Sequence, residues 1–318
     1  MGDLPASRVT PSRPFQSTRV DYAGPFCARV HHLKALRQIK VYLCIFICMV
    51  TKAVHIELVT DLTTEGFLAA LTRFVSRRGL CSTIYSDCGT NFIGAESSLK
   101  KILSETVKAS TAMDKISHFA SLKGIDFRFN PPAAPHQGGL WESAVKSAKH
   151  HLRRVMGETI LTLPEFMTLT VQVEAMLNSR PLTPLSADPS DLSALTPGHF
   201  LIGTPLAALP EADHHNTPTN RLRHWHLVQA FHQRIWKRWH LEYLHSLQQR
   251  SKWTSPQPNI QVGDLVLIQA PSPYLTWPMG RVIKTHPGAD GIVRVITLKT
   301  INGVLTRPVV KVFPLPME

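Results

Sequence analysis

The sequence has few cysteines and no closely paired cysteine motif. Its five cysteines stand at positions 27, 44, 48, 81 and 88, and no two of them form a C-x-x-C pair. This pattern argues against a disulfide-stapled secreted domain and predicts reduced, intracellular thiols. It also gives no support to a zinc finger, despite 16 histidines. Cys44 and Cys48 lie in an apolar run and are predicted to be small core residues.

Long hydrophobic runs are also missing. The longest, from Val41 to Val50, has ten residues. Such a run is too short to span a bilayer and suits a buried strand instead. No membrane partner is therefore expected.

Acidic residues are scarce relative to basic ones. The chain has 22 Asp+Glu against 35 Lys+Arg, for a formal net charge of +13. From Arg221 to the end there are 13 Lys+Arg and 4 Asp+Glu, so the C-terminal third is the more basic part. This balance favours a polyanionic partner such as nucleic acid, although ribosomal, chromatin and membrane-surface proteins share it.

What is present is an α/β pattern of strands and helices. A short strand at 17–22 is predicted to end in Asp21, with the sequence AGPF turning away after it. Thr63 can cap a helix that stops at Gly79. The other predicted elements are strands at 39–49, 52–59, 82–86 and 125–129, two helices within 95–122, and helices at 142–156 and 164–178. This order predicts a three-layer α/β core with a mixed five-stranded sheet.

Changes in composition and in hydrophobic pattern along the chain predict five regions. They are an extended lead-in at 1–16, a catalytic core at 17–205, a linker at 206–220, a basic aromatic helix at 221–252 and a small SH3-like β-barrel at 253–318. Four short alternating strands after Gln261 predict the barrel. The aromatic residues of the basic helix are expected to pack internally while its cations face DNA or a partner. Arg281, Lys284, Arg294 and Lys299 of the barrel are candidate phosphate contacts.

Three carboxylates occupy positions from which a site can be built. Asp21 and Asp87 follow strands, and Glu142 stands near the start of a helix. Converging carboxylates are unfavourable unless cations neutralise them, and hard oxygen ligands point to Mg²⁺ or Mn²⁺. The plainer interpretation remains open: an Asp at a strand end is commonly a turn or cap residue. Glu142 with Lys146 is equally consistent with a surface ion pair worth about 0.3–0.5 kcal/mol.

The stretch NPPAAPHQGGLWESAVKSAKHHLRR places cations next to Glu142. Lys146, Lys149 and Arg153 follow it at steps of four, three and four residues, so they share its helix face. An acid beside a row of cations, after a Pro- and Gly-rich loop, suggests that metal and phosphate are handled together.

Five blocks of sequence in this order resemble a retroviral-type integrase, with wording similar to the BEL/Pao class of long-terminal-repeat retrotransposons. The blocks are VDYAGPF, KAVHIELVTDLTTEGFLAAL, YSDCGTNFIGA, PPAAPHQGGLWESAVKSAKHHLRRV and LNSRPLTPLS…LTPGHFLIG. The basic helix and barrel resemble the poorly characterised domain that follows integrase in those elements.

The resemblance implies a ribonuclease H-like fold and assigns roles to residues. Asp21, Asp87 and Glu142 become the catalytic, metal-binding triad, holding two Mg²⁺ or Mn²⁺ ions. The implied nucleic-acid contacts are Asn91, His136, Gln137, Lys146, Lys149, His150 and Arg153. The implied reaction is DNA integration: water trims the DNA 3′ ends, and the exposed hydroxyls then attack target DNA. The loop from Pro131 to Gly139 would be mobile near the scissile phosphate.

The resemblance also sets the expected partners and the alternatives. Double-stranded DNA, self-association and a nuclear location are implied. The upstream His-His-Cys-Cys zinc domain of the family is absent, so no zinc is expected here, and Cys88 replaces the usual asparagine after Asp87. A catalytically inactive, host-adopted DNA-binding remnant is the first alternative function. A ribonuclease H-like nuclease that cuts without joining is the second.

Overall fold

The computed structural model describes residues 6–30, 38–109, 124–129, 139–186, 188–248 and 259–316. Within these ranges, the side chains at 6–7, 103–109, 139–145, 147–148 and 220 are not described. The chain divides into two compact units, one of Met1–Val145 with Met156–Glu174 and one of Lys146–Val155 with Ala175–Glu318. The five predicted regions, including the boundary at residue 205, stay predictions.

The first unit is a mixed α/β fold, and most of its predicted elements are confirmed. Its strands are β1 (Ser17–Arg29), β2 (Gln38–Cys48), β3 (Val54–Val59), β4 (Thr83–Ser86), β5 (Asp126–Phe129) and β6 (Leu161–Thr162). Its helices are α1 (Ala6–Val9), α2 (Thr64–Arg78), α3 (Thr90–Ala109), and parts of α4 (Gly139–Met156) and α5 (Leu163–Asn178). One helical turn, α1, therefore lies in the segment that was expected to be extended. Residues 110–123, where a further helix was predicted, lie outside the described residues.

The sheet of the first unit is mixed, as predicted, but has a sixth strand. Its order is β3-β2-β1-β4-β5, and the two-residue β6 pairs with the far end of β1. The pairs β1–β2 and β2–β3 are antiparallel, whereas β1–β4, β4–β5 and β1–β6 are parallel. β6 has only two residues, too few for an alternating pattern to reveal it in the sequence.

β1 corrects one prediction, because the chain does not turn away after Tyr22. The strand continues to Arg29 through a register shift between Ala23 and Phe26. Gly24 sits in this bulge with φ +146°, and a Cβ there would lie 2.8 Å from the Tyr42 ring. Only glycine fits such a position without strain. The AGP sequence is thus a bulge inside a long strand and not a turn at its end.

Helix α2 begins and ends where its sequence signals stand. The Thr63 hydroxyl accepts a hydrogen bond from the Gly66 amide at 3.0 Å, and Gly79 closes the helix with φ 84°. The apolar face of the helix is buried against the sheet. Phe74 stacks on Phe46 of β2 with ring centroids 4.2 Å apart. Burial of one such side chain stabilises the fold by about 1.5–3 kcal/mol.

The second unit contains an antiparallel sheet with an aliphatic core. Its strands are β7 (Thr183–Pro184), β8 (Ala194–Leu195), β9 (Leu265–Ile268), β10 (Met279–Pro287), β11 (Val293–Thr300), β12 (Gly303–Pro308) and β13 (Val312–Pro314). The order β12-β11-β10-β9-β13 forms the larger sheet. Its core contains Val266, Ile268, Val282, Ile296, Leu298 and Val312. The last of the four predicted strands is in fact two, β12 and β13, separated by a 3-10 turn.

Helix α7 (His224–Leu247) carries the aromatic core of the second unit, and a short helix α6 (Pro197–Ile202) precedes it. Trp239 is 1% exposed. Its ring lies 5.5 Å from that of Tyr243 and 5.9 Å from that of Trp277, which precedes β10. Trp236 also contacts Trp277, at 5.0 Å. This cluster joins α7 to the loop between β9 and β10.

Three hydrogen bonds attach the segment 179–191 to the same unit. The Trp277 indole donates to the Ser179 hydroxyl at 3.2 Å, and the Tyr243 hydroxyl donates to the Pro181 carbonyl. The Arg281 guanidinium donates to the Asp191 carbonyl at 2.6 Å. The sequence LNSRPLTPLS therefore packs with residues far along the chain. None of the described helices is long and apolar enough to cross a membrane.

Candidate functional site

The parallel pairing of β1 and β4 bears on two of the predicted site residues. Ser17 pairs with Thr83 and Arg19 with Tyr85. Continuing this register by two residues sets Asp21 beside Asp87, the residue that follows β4. Neighbouring strands lie about 4.8 Å apart, and residues in register on parallel strands point to the same face. On this extrapolated register, the two carboxylates would lie near each other beyond the carboxyl end of β4.

The loop after β4 holds Asp87 through its own backbone. The Oδ1 atom of Asp87 accepts a hydrogen bond from the Gly89 amide at 3.1 Å, which is the local turn expected of an Asp after a strand. A Cβ on Gly89 would lie 2.7 Å from the Asn91 side-chain oxygen and 3.1 Å from Asp87 Oδ1. Both the carboxylate and the glycine are therefore fixed by close approach, whereas Cys88 is exposed.

Asp21 is half-buried, and the residue after it, Tyr22, belongs to an aromatic pair. Its Oδ1 atom accepts from the Tyr22 amide at 2.7 Å. The Tyr22 ring stacks on Phe92 of α3 with centroids 5.4 Å apart. Burial, followed by the neighbouring Cys44, raises the pKa of the Tyr22 hydroxyl, and a hydrogen bond with Asn91 opposes this. The phenol therefore stays protonated.

Asn91, a predicted DNA contact, is buried rather than exposed on the surface. It is 8% exposed, in the first turn of α3. Its amide is placed between Gly89 and the Tyr22 hydroxyl. This position links the loop that carries Asp87 with the strand that carries Asp21.

The third carboxylate is placed only by its backbone. Glu142 lies in the first turn of α4, but its side chain is outside the described residues, as are His136 and Gln137. Among the described side chains, no group of three His, Cys, Asp or Glu residues is arranged to hold a metal ion, a search that does not include Glu142. The pair formed by Asp21 and Asp87 supplies hard oxygen donors that fit Mg²⁺ or Mn²⁺. The assignment of all three residues stays a prediction.

Helix α4 carries the predicted cations on one face. It runs without interruption from Gly139 to Met156 and so includes Glu142, Lys146, Lys149 and Arg153 at the helical spacing that the sequence implies. Lys146, His150 and Arg153 are exposed and Lys149 is half-buried. Exposed cations at this spacing are able to contact successive phosphates, although no described feature tests that contact.

The first unit also contains a buried ionic network that was not predicted from the sequence. His55 of β3 is 1% exposed, and its Nε2 atom lies 2.8 Å from Glu57 Oε1. Glu57 also accepts from the Arg73 guanidinium at 2.7 Å and from Arg77. Glu174 of α5 accepts from the Arg78 guanidinium at 2.6 Å and from the Ile56 amide. The network ties β3 to α2 and α5, which is a structural role.

The protonation states of this network follow from its contacts. Burial alone would lower the pKa of His55, but hydrogen bonds to Glu174 and Glu57 outweigh it and raise that pKa. Burial alone would raise the pKa of Glu57, but hydrogen bonds from His55 and Arg73 lower it. An imidazolium between carboxylates is consistent with both directions.

One predicted phosphate contact of the C-terminal region has a different role. Arg281 is 6% exposed, and its guanidinium donates to the carbonyls of Gly263 and Asp191 at 2.8 and 2.6 Å. These bonds commit it to holding loops together and make it unsuited to binding phosphate. Arg294 pairs with Asp290, while Lys284 and Lys299 are exposed. A count of basic residues does not separate these cases; the burial of each residue does.

Comparisons with known proteins give a family match over part of the chain and a weak structural similarity over all of it. Residues 223–315, which include α7 and the larger antiparallel sheet, match a family described as a family of unknown function (DUF5641). No curated protein matches the chain. A chain in the cryo-EM structure of the simian T-cell lymphotropic virus intasome in complex with PP2A regulatory subunit B56 gamma is similar at 11% identity and a TM-score of 0.38. That similarity covers 100% of this chain and 84% of the other.

Proposed function

We propose that the chain is an integrase-type polynucleotidyl transferase of retroelement origin, of the BEL/Pao class, with a ribonuclease H-like core. The observation that carries the proposal is the parallel register of β1 and β4, which is seen as far as Arg19 and Tyr85 and, continued by two residues, would reach Asp21 and Asp87. The five sequence blocks described above support it independently. Its substrate is double-stranded DNA, and self-association and a nuclear location belong to the same proposal.

The proposed chemistry is an in-line displacement at phosphorus. Two Mg²⁺ or Mn²⁺ ions, when bound, would stabilise the charge on the attacking and leaving oxygens. Asp21, Asp87 and Glu142 would hold them. The turn at Gly89 fixes the Asp87 carboxylate, and the stacked Tyr22 and Phe92 rings fix the strand under Asp21. Lys146 and Lys149 would bind phosphates flanking the reacting one, so catalysis comes from positioning and electrostatics.

A strand-transfer assay tests this function. The full chain is incubated with Mn²⁺ and short duplexes that carry element ends, and joined products are separated from merely cut ones. We expect Asp87→Asn to lower joining at least about a hundredfold, because a carboxylate ligand is lost. Asp126→Asn is the matched control, since Asp126 is an exposed carboxylate on the neighbouring strand β5 and pairs with Arg128. Joining that is unaffected by Asp87→Asn would refute the assigned triad.

The same assay separates the alternatives. A DNA-binding remnant would bind the duplexes in a salt-dependent way and give no metal-dependent products. A ribonuclease H-like nuclease would give cut strands and no joined ones. Exposed Cys88 beside Asp87 is the feature that favours a remnant. Restoring asparagine with Cys88→Asn would raise activity if the cysteine had weakened the site.

A further inference from the structure

One tryptophan of α7 differs from the others in its surroundings. Trp236, Trp239 and Trp277 are at most 9% exposed and pack against one another. Trp225, the second residue of the same helix, is 58% exposed. Among the described residues it makes no ring contact. An exposed indole adds nothing to the core of the second unit, so its side chain is available to a partner.

The residues next to Trp225 are cationic and exposed. Arg221, Arg223, His224 and His226 all face solvent. Within the described part of the chain, no carboxylate pairs with Arg221 or Arg223. Leu222 and Leu227 are half-buried and anchor the segment. Arg221, Arg223 and Trp225 together form a surface that we call the Trp225 patch.

The chain conformation holds the patch in place. Leu222 and Arg223 have extended backbone, with φ −96° and −76° respectively, and the helix begins at His224. Arg221 ends a 3-10 helix (Thr219–Arg221), and Arg221 and Arg223 are exposed while Leu222 between them is half-buried. In the first turn of the helix, the centroid of the His226 ring lies 4.8 Å from that of the His214 ring. The carboxylate of Asp213 pairs with the His215 imidazole at 2.5 Å, and no contact described in the structure joins it to Arg221 or Arg223.

We propose that the Trp225 patch binds single-stranded nucleic acid. An exposed indole offers a flat face on which an unpaired base can stack, and flanking arginines can contact the phosphates on either side. Bases inside a duplex are already stacked, which favours an unpaired strand. A membrane surface is a poorer partner because insertion needs aliphatic neighbours, and Leu222 and Leu227 point inward. This inference does not depend on the proposed catalytic function.

Binding of a fluorescent single-stranded oligonucleotide to the full chain, without metal, tests the proposal. We expect Trp225→Ala to weaken binding roughly tenfold and Trp225→Phe to restore most of it, because a phenyl ring still stacks. Arg221→Ala with Arg223→Ala should flatten the slope of log affinity against log salt by about 1.4, the value for two lost phosphate contacts.

A charge-matched control is available on the same helix. Lys237 and Arg238 are exposed cations that lie about 20 Å further along α7. Replacing both with alanine removes the same charge as the double arginine variant, and we expect it to leave the affinity and the salt slope close to those of the wild type. The substituted side chains are exposed, so we expect every variant to keep its fold. Thermal unfolding of each variant checks this.

Several results would overturn the proposal. Equal losses in the two double variants would reduce the effect to net charge, and unchanged binding by Trp225→Ala would remove the stacking contact. Loss of binding to phosphatidylserine vesicles, with oligonucleotide binding intact, would assign the patch to a membrane. Asp87→Asn should bind the oligonucleotide normally, so failure of strand transfer and failure of this patch are distinguishable.

Discussion

The two units place their charges differently. In the first, carboxylates and cations meet inside the fold, around Glu57, which is 4% exposed and contacts His55, Arg73 and Arg77. In the second, the interior around α7 is mainly aromatic, and buried Arg281 donates to backbone carbonyls. His232 of α7 lies 2.9 Å from Glu211 Oε2, but burial lowers the pKa of this histidine and so favours its neutral form. Stability should therefore depend on ionisation in the first unit and on shape and packing in the second. The candidate carboxylates Asp21 and Asp87 belong to the first unit, which also contains the ionic network around Glu57.

The largest expected effect is in the aromatic core of the second unit. Trp239→Ala removes a buried ring in contact with Tyr243 and Trp277, and we expect it to lower the free energy of unfolding by about 3–5 kcal/mol. Trp225→Ala should change it by less than about 0.5 kcal/mol because that ring is exposed. Denaturant unfolding followed by near-ultraviolet circular dichroism measures both. Equal losses would mean that the cluster does not stabilise the unit.

The ionic network gives a comparable effect in the first unit. Glu57→Gln leaves His55, Arg73 and Arg77 without their shared carboxylate, and we expect a loss of roughly 3 kcal/mol in the free energy of unfolding. Glu96→Gln breaks only the exposed i,i+4 pair with Lys100 and should cost less than about 0.5 kcal/mol. The difference between the two variants measures the contribution of burial. If Glu57→Gln costs no more than its control, the network is not a source of stability.

The bulge in β1 predicts a smaller loss. Gly24→Ala adds a Cβ 2.8 Å from the Tyr42 ring at a positive φ, and we expect it to cost roughly 2–3 kcal/mol. Gly157 also has a positive φ, but a Cβ there would meet nothing within 4 Å. Gly157→Ala should cost only about 1 kcal/mol, the backbone term alone. Thermal unfolding of the two variants checks the ranking, and a reversed order would contradict the packing described for the bulge.

The smallest expected effect is a dependence on pH. The raised pKa of His55 contributes stability that is complete below its ordinary value of 6.5 and is lost as pH rises through the raised value. The lowered pKa of Glu57 contributes stability above its ordinary value of 4.5 that is lost as pH falls. The pair is thus strongest between these two values. His55→Gln should cost more at about pH 5.5 than at about pH 9, and an equal cost at both would contradict the assignment.

The sequence predicts the secondary structure of the first unit well because the signals there are local. Alternation gives the strands, and Thr63 and Gly79 bound α2. Asp21 and Asp87 are both expected at strand ends. Asp87 does follow β4, whereas Asp21 lies inside the longer β1, and their pairing stays a prediction. The bulge at Gly24 is not predictable in this way, because the residues Ala23, Gly24 and Pro25 are also typical of a turn. Only the pairing with β2 distinguishes a bulge from a turn.

The sequence is less informative where burial is decided by distant residues. Trp225 and Trp239 lie on the same helix, and each has an arginine and a histidine close by in the sequence. Trp225 is nevertheless exposed, whereas Trp239 packs on Trp277, 38 residues further along the chain. Arg281 similarly reads as a free cation until its bond to Asp191 is known. The role of Glu142 stays a prediction because it depends on a side chain outside the described residues.

The central claim is that Asp21 and Asp87 act as one metal-binding pair. Titration of the full chain with Mn²⁺, comparing the wild type, Asp21→Asn, Asp87→Asn and the double variant, tests it most directly. We predict that either single variant loses the tight binding and that the double variant loses no more, because the two carboxylates share the same ions. Independent, additive losses would contradict the claim, as would Mn²⁺ binding that neither substitution changes.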